Sequence, residues 1–286
     1  MQIAKDPVLE QARAATTTTD PHHLVSVIVP HYSDLAGLDR CLTALEAQTY
    51  PRELFEIAVG DNNSPEGADA VRAVVGDRAR VTILTEKGAG PARNGALALA
   101  RFEYLALTDS DCVPHPTWLE NSMRALANFD LVFAFDNRDY VENKGFSGTL
   151  NPFTRREVFE KAGYFSSLGL WEDVEWCERE TACGYRLGYD DSAAISHPAR
   201  RTWPEIWRKT RRAETEMFHL RVHSSQARIR WLGRTLAYPF SAFVRTPKVL
   251  FSKKLRGLSQ RLGAIATLYR TRVMRSVLAF EFLVHN

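Results

Sequence analysis

Between residues 25 and 107, short β-branched runs alternate with segments of helical period, and few folds accommodate that alternation. Val25-Ser-Val-Ile-Val-Pro30 is an apolar run closed by proline, as a buried strand requires. Residues 35–48 follow, with apolar Leu35, Leu38, Leu42 and Leu45. Steps of three and four set these side chains on one stripe of a helix. Residues 55–59 read as strand, 68–75 as helix, 81–84 as strand, 91–101 as an alanine- and leucine-rich helix, and 104–107 as strand. Strand–helix–strand units at these spacings predict βαβ crossovers and a mostly parallel sheet. Ligands of such sheets bind at the carboxyl ends of the strands. Chemistry is therefore expected in segments 30–34, 60–64, 85–93 and 108–114.

The pattern changes after Val113. The sequence predicts a helix over 116–128, with Pro116 in its first turn, and a strand over 131–135. Residues 151–164 carry a short helix ended by Gly163. A helix over 172–183 is ended by Gly184, and a strand covers 186–189. From Trp203 the chain reads as helix, broken near Gly233, Pro239, Pro247 and Gly257. Residues 1–24 hold Lys5, Asp6, Glu10, Arg13 and a threonine tract without an apolar run. They are expected to be a disordered lead-in rather than a targeting peptide. No stretch of roughly 18 uncharged apolar residues suits a transmembrane helix. Cys41, Cys112, Cys177 and Cys183 lack metal-site spacing and read as reduced thiols of a cytoplasmic protein.

The strongest local signal is Leu105-Ala-Leu-Thr-Asp109-Ser-Asp111-Cys-Val-Pro114. Two carboxylates flank one residue directly after an apolar strand. In extended backbone, residues i and i+2 project to the same side, so both carboxylates can address one site. Hard divalent cations such as Mg2+ take oxygen ligands, commonly one or two carboxylates with substrate phosphate oxygens. Asp and Ser equally suit a turn or a helix cap.

Further motifs surround this triplet. Ser26-Val-Ile-Val-Pro30, Gln48-Thr-Tyr-Pro51, Asp61-Asn-Asn-Ser64 and Gly90-Pro-Ala-Arg-Asn94 precede it. Asn151-Pro-Phe, Ala162-Gly-Tyr-Phe165, Trp171-Glu-Asp173-Val-Glu-Trp, Gly184-Tyr-Arg-Leu and His197-Pro follow it. In order and spacing the set, across residues 25–215, resembles the inverting family-2 glycosyltransferases of the A-type nucleotide-sugar fold. The resemblance implies a Rossmann-like α/β catalytic domain over residues 25–222, its mostly parallel central sheet flanked by helices. A basic, amphipathic helical appendage over 223–286 completes the expected organisation. The implied reaction moves a sugar, with inversion, from a nucleoside-diphosphate sugar to a hydroxyl acceptor in polysaccharide, glycan or glycolipid assembly.

The same resemblance implies roles for matching positions. Pro30, Tyr32 and Asp61 would hold the base and ribose. The family often reads Asp-Asp-Gly-Ser where this chain has Asp61-Asn-Asn-Ser64, so Asn62 is the alternative base contact. Arg93 would sit by the diphosphate, or be a solvated helix residue. Asp109 and Ser110 would contact the donor, with Asp109 and Asp111 on a divalent Mg2+ or Mn2+. His197 would complete the metal's coordination or be structural. Inverting transfer needs a carboxylate to deprotonate the acceptor hydroxyl; Asp173 is the expected base and Glu172 the second choice, although a carboxylate there could also cap its helix. Trp171 would stack on an acceptor sugar or belong to the core. Two other classes stay in view. A sugar-phosphate nucleotidyltransferase would carry a glycine- and lysine-rich loop where Pro30-His-Tyr-Ser-Asp34 stands. A catalytically inactive glycan- or lipid-binding module would have no use for Asp109, Asp111 and Asp173.

A net charge of +3 conceals an asymmetry: residues 200–286 hold 19 Lys and Arg against four Glu. The remainder carries an acidic excess. Arg208, Lys209, Arg228, Arg230, Lys253, Lys254 and Arg256 are interleaved with Trp207, Trp231, Phe240, Phe243 and Phe251. Basic groups mixed with aromatics predict attachment to an anionic membrane surface on its cytoplasmic face, near a lipid-linked acceptor. A solvated basic face and a homo-oligomer interface are the alternatives. No nucleic-acid recognition motif is present, so nucleic acid is not an expected partner.

Overall fold

The computed structural model describes residues 23–133, 151–167, 172–197, 202–252 and 255–285. Most of the expected lead-in, Trp171, the end of the strand predicted over 131–135, and Lys253 and Lys254 lie outside the described residues.

Strand β1 (Val25–His31) is buried along its whole length, between β2 (Phe55–Asp61) and β4 (Tyr104–Leu107). Both of its faces are covered by helices, which is why its sequence is a continuous apolar run rather than an alternation. With β3 (Arg80–Ile83), β6 (Leu131–Phe133), β7 (Pro152–Arg155) and β8 (Leu187–Tyr189) it forms a seven-stranded sheet in the order β3-β2-β1-β4-β7-β6-β8. Only β7 runs against its neighbours. The mostly parallel sheet flanked by helices is therefore present. Pro30 is tolerated in a central strand because pairing with β4 ends at Ile28, so its missing N–H faces no acceptor there.

Helices α1 (Leu35–Glu46), α2 (Ala68–Val75) and α4 (Trp118–Leu126) contribute to one core, with Leu38, Leu42, Val71 and Trp118 fully buried. On the other face lie α3 (Ala89–Leu99), α5 (Arg156–Ala162) and α6 (Glu172–Ala182), around Leu97, Phe159 and Trp176. Asp34 starts α1 by accepting a 2.8 Å hydrogen bond from the Gly37 amide. The approach of α3 to β2 depends on Gly60: a Cβ there would lie 1.9 Å from the Ala92 carbonyl oxygen. A second, two-stranded sheet pairs β5 (Val113–Pro114) with β9 (Ile195–Ser196).

Two readings of the sequence need correction. Residues 152–155 form a strand that helical periodicity did not reveal; pairing with β4 and β6 fixes a segment too short to carry its own signal. The predicted breaks near Gly233, Pro239 and Pro247 are absent. Helix α8 (Ser225–Leu250) runs through all three, between α7 (Trp203–Arg221) and α9 (Gly257–His285). Pro239 cannot donate to the Thr235 carbonyl, but Ser276 of α9 does so at 2.8 Å, replacing the lost bond. The three helices share an apolar core of Phe218, Trp231, Tyr238, Met274, Leu278 and Phe282. Glu214, fully buried among them, accepts from Arg275 at 2.6 Å and Tyr238 at 3.1 Å.

Candidate active site

β1, β2 and β4 end side by side, so the residues after them share one edge of the sheet. His31 and Asp61 are register partners at the last pair of β1 and β2. The Asp61 carboxylate accepts from the Ser64 amide at 3.0 Å and the Ser64 hydroxyl at 2.5 Å. This is the Asx-type turn that lets Asn63 take a φ of +54°. The Ser64 hydroxyl in turn accepts from the Ser33 amide at 3.0 Å, tying the β1 and β2 loops together. The Asn62 side chain accepts from the Gly88 amide at 2.8 Å, holding the segment that opens α3. Tyr32 points into solvent, more than half exposed, and Pro30 is buried.

The triplet after β4 is not extended. The Cys112 amide donates to the Asp109 carbonyl at 3.0 Å, closing a turn that sends the three side chains in different directions. Ser110 turns inward, and its hydroxyl lies 3.2 Å from His31 Nδ1. Burial lowers the His31 pKa against the pull of Asp61, which favours the neutral ring. Asp109 accepts from Arg93 Nη2 at 2.8 Å. The other terminal nitrogen of Arg93 donates to Glu172 at the start of α6. Arg93 is buried, which works against its charge, but Asp109, Glu172 and Asp173 outweigh burial and raise its pKa.

Glu172 and Asp173 are both buried in the first turn of α6. Burial raises the Glu172 pKa, against Arg93, and its second oxygen has no hydrogen-bond partner. Burial, reinforced by Glu172, pushes Asp173 up to about 7, while Arg93 and the Val174 amide pull it down. A carboxyl poised near neutrality can take a proton at physiological pH.

Asp111 faces elsewhere. The β5–β9 pairing sets Val113 opposite Ser196, and the His115 amide donates to the Ala194 carbonyl at 3.0 Å. That ladder carries His197 Nε2 to 3.4 Å from Asp111 Oδ2. With the Cys112 sulfur these ligand atoms lie within 4.8 Å of one another, a grouping able to hold a metal ion. A carboxylate and an imidazole, both partly exposed, fit a divalent cation with coordination positions left for a phosphate. Burial raises the pKa of Cys112, and burial with Asp109 and Asp111 pushes Cys41 up to about 12. Both thiols are thus protonated, and they donate weakly to Asp111 Oδ1 and to the Asp109 carbonyl.

The structure thus brings Asp61, Asn62, Arg93, Asp109, Ser110, Asp111, Glu172, Asp173 and His197 to the loops along the carboxyl edge and the helix starts beside it. Three contributors were not singled out from sequence. His31 is hidden in a proline-bounded strand end; a ring-bearing polar residue at the last buried position was its only signal. Asn94 exchanges hydrogen bonds with the Phe165 backbone at 2.8 and 3.1 Å and locks α3 to the segment ahead of α6. Cys112 lies inside the strongest motif, but without metal-site spacing to another cysteine it carries no ligand signal in the sequence.

The family model described as glycosyl transferase family 2 matches residues 26–221. Glycosyltransferase AglE of Haloferax volcanii is 31% identical over 212 residues, covering 64% of this chain and 69% of that protein. Among solved structures, the mannosyltransferase PcManGT from Pyrobaculum calidifontis, in complex with GDP-Man and Mn2+, superimposes with a TM-score of 0.62. The identity is 21%, with 98% of this chain and 94% of the other covered. Staphylococcus aureus TarS in complex with UDP-GlcNAc gives a TM-score of 0.53 at 16% identity, over 90% and 89% of the two chains.

Proposed function

The chain belongs to glycosyl transferase family 2, and from that premise we propose that it transfers a sugar, with inversion, from a nucleoside-diphosphate sugar to a hydroxyl acceptor. Residues 25–222 are read as the catalytic domain and 223–286 as its appendage. The carrying observation is Asp173: a buried carboxyl raised to about 7, one residue from the Glu172–Arg93–Asp109 chain. In this reading Asp173 is the general base that takes the acceptor hydroxyl proton. Glu172 is committed to Arg93 and acts by positioning it. Arg93 stands beside Asp109, where a diphosphate would meet its charge. Pro30, Tyr32, Asp61 and Asn62 line the nucleoside side. His31 and Ser110 fix the turn between them.

Asp111 and His197 would hold the divalent cation, Mn2+ gaining more than Mg2+ from the imidazole nitrogen. When bound it supplies positive charge to the departing nucleoside diphosphate. The neighbours that carry GDP-Man with Mn2+ and UDP-GlcNAc make guanosine and uridine donors the first to test. The acceptor is read as a glycan or glycolipid, lipid-linked carriers included, since the C-terminal region is strongly basic. Trp171 remains the proposed stacking platform for it.

The test is a thermal-shift panel of UDP, GDP, dTDP and CDP with Mn2+, followed by transfer with the matching sugar. Product anomeric configuration is then read by NMR. A ligand that binds should raise the melting temperature by mass action. A product retaining the donor's anomeric configuration would overturn inversion, and failure to release nucleoside diphosphate from any bound donor would overturn the transferase reading.

A further inference from the structure

Helix α8 is apolar on two opposite sides. Ala227, Trp231, Thr235, Tyr238 and Ala242 form its buried face. At about 100° per residue, Ile229, Leu232, Leu236, Phe240, Phe243 and Val244 fall within roughly 60° of a line on the opposite side. They are exposed: Ile229 by 70%, Phe240 by 69%, Phe243 by 63% and Val244 by 79%. An ordinary surface helix carries polar residues there, and a contiguous apolar patch of this kind marks an interaction surface. The Phe243 ring meets that of Tyr269 on α9 edge-on, with centroids 5.3 Å apart.

The charge around the patch selects its partner. From residue 223 to residue 280 the chain has twelve Lys and Arg and no Asp or Glu. Arg230 and Lys248, both exposed, project at about 100° to the centre of the stripe and flank it along one side. A second copy of the chain meeting this face about a two-fold axis would set one acid-free cationic surface against another, which like-charge repulsion opposes. An anionic lipid surface offers apolar depth under the stripe and phosphate charge at its margin. Among the described residues no helix is long and apolar enough to cross a membrane.

We propose that the outward face of α8, centred on Leu236, Phe240 and Phe243, lies in the interface of an anionic bilayer, with Arg230 and Lys248 at the level of the phosphates. This deepens the partner reading above without depending on the transfer chemistry, because docking requires neither donor nor metal. The full chain should co-sediment with vesicles of mixed phosphatidylglycerol and phosphatidylcholine, and much less with phosphatidylcholine alone. Phe240→Ser with Phe243→Ser should lower that partition by at least about a hundredfold, given what two buried aromatic side chains contribute. The far-UV circular dichroism should not change, and the melting temperature should fall by no more than about 2–4 °C, what loss of the Phe243–Tyr269 ring contact costs, since both side chains are otherwise largely in water. Asp111→Asn, which strikes the proposed metal site, should bind vesicles like the native chain, separating failure of docking from failure of catalysis. Vesicle binding by the double variant equal to that of the native chain would overturn the proposal. So would a dimer in solution that the same two substitutions dissociate, with no vesicle binding, since it would give the face to a second copy.

Discussion

Arg93→Met should unfold the protein earlier, and by an amount that depends on pH. Arg93 is buried and donates directly to two carboxylates. Glu172 is the critical one: it is 3% exposed, and one of its oxygens already lacks a partner. Removing one member of a buried pair costs about 3–5 kcal/mol, because the remaining charge is stranded. Asp109, about a third exposed, can be rehydrated and adds under about 1 kcal/mol. At about 2–4 °C per kcal/mol for a chain of this size, the melting temperature should fall by roughly 10 °C. Glu172 can escape by taking a proton. Burial already raises its pKa, and loss of Arg93 raises it further. A carboxyl raised in the folded state favours folding fully below its unfolded pKa, and that advantage is lost as pH rises through the folded value. The gap between native and variant protein should therefore be narrow in mild acid and widest in mild alkali. Differential scanning calorimetry across that range measures it. Adding Glu172→Gln to Arg93→Met removes the stranded charge and should recover at least about half of the loss at the alkaline end. A pH-independent deficit, or a double variant no more stable than the single, would refute the argument.

Asp111→Asn and His197→Ala should each weaken Mn2+ binding by more than the roughly 10–100-fold lost when a ligand's outer hydrogen-bond partner is removed; isothermal titration of the cation alone reads this. Asp173→Asn should lower kcat about 10^2–10^4-fold without lowering the melting temperature in mild alkali, since it deletes a buried charge. In the native enzyme the rate should rise with pH until Asp173 is ionised, so activity should fall away below about pH 7. Gly60→Ala should cost about 3 kcal/mol in denaturant unfolding, because its methyl group would strike the Ala92 carbonyl of α3.

What was legible in the sequence was whatever a local pattern carries. β1, β2 and β4 are buried on both faces, so their residues had to be apolar whatever else the chain does. The stripe of α1 had to recur every three or four residues. Strand β7 had no such signature; its four residues are held by partners on two neighbouring strands. The run of α8 through Pro239 was hidden for the same reason, since the hydroxyl that satisfies Thr235 comes from Ser276 on another helix. Local rules cost the helix a bond, and tertiary structure returns it.

The same distinction explains the acidic triplet. Two carboxylates one residue apart would share a site if the backbone were extended, but the Cys112-to-Asp109 turn divides them. Asp109 joins the Arg93–Glu172 chain, which is anchored in α3 and α6. Asp111 joins His197, which only the β5–β9 ladder brings into reach. A single turn therefore distributes one motif between two electrostatic neighbourhoods: a cationic one around Arg93, and one around Asp111 and His197 whose donors are an oxygen and a nitrogen. In the proposed reaction a diphosphate would lie across that boundary, with Arg93 on one side and the metal ligands on the other. The spacing of the triplet then matters less for placing two ligands on one ion than for setting those two neighbourhoods side by side.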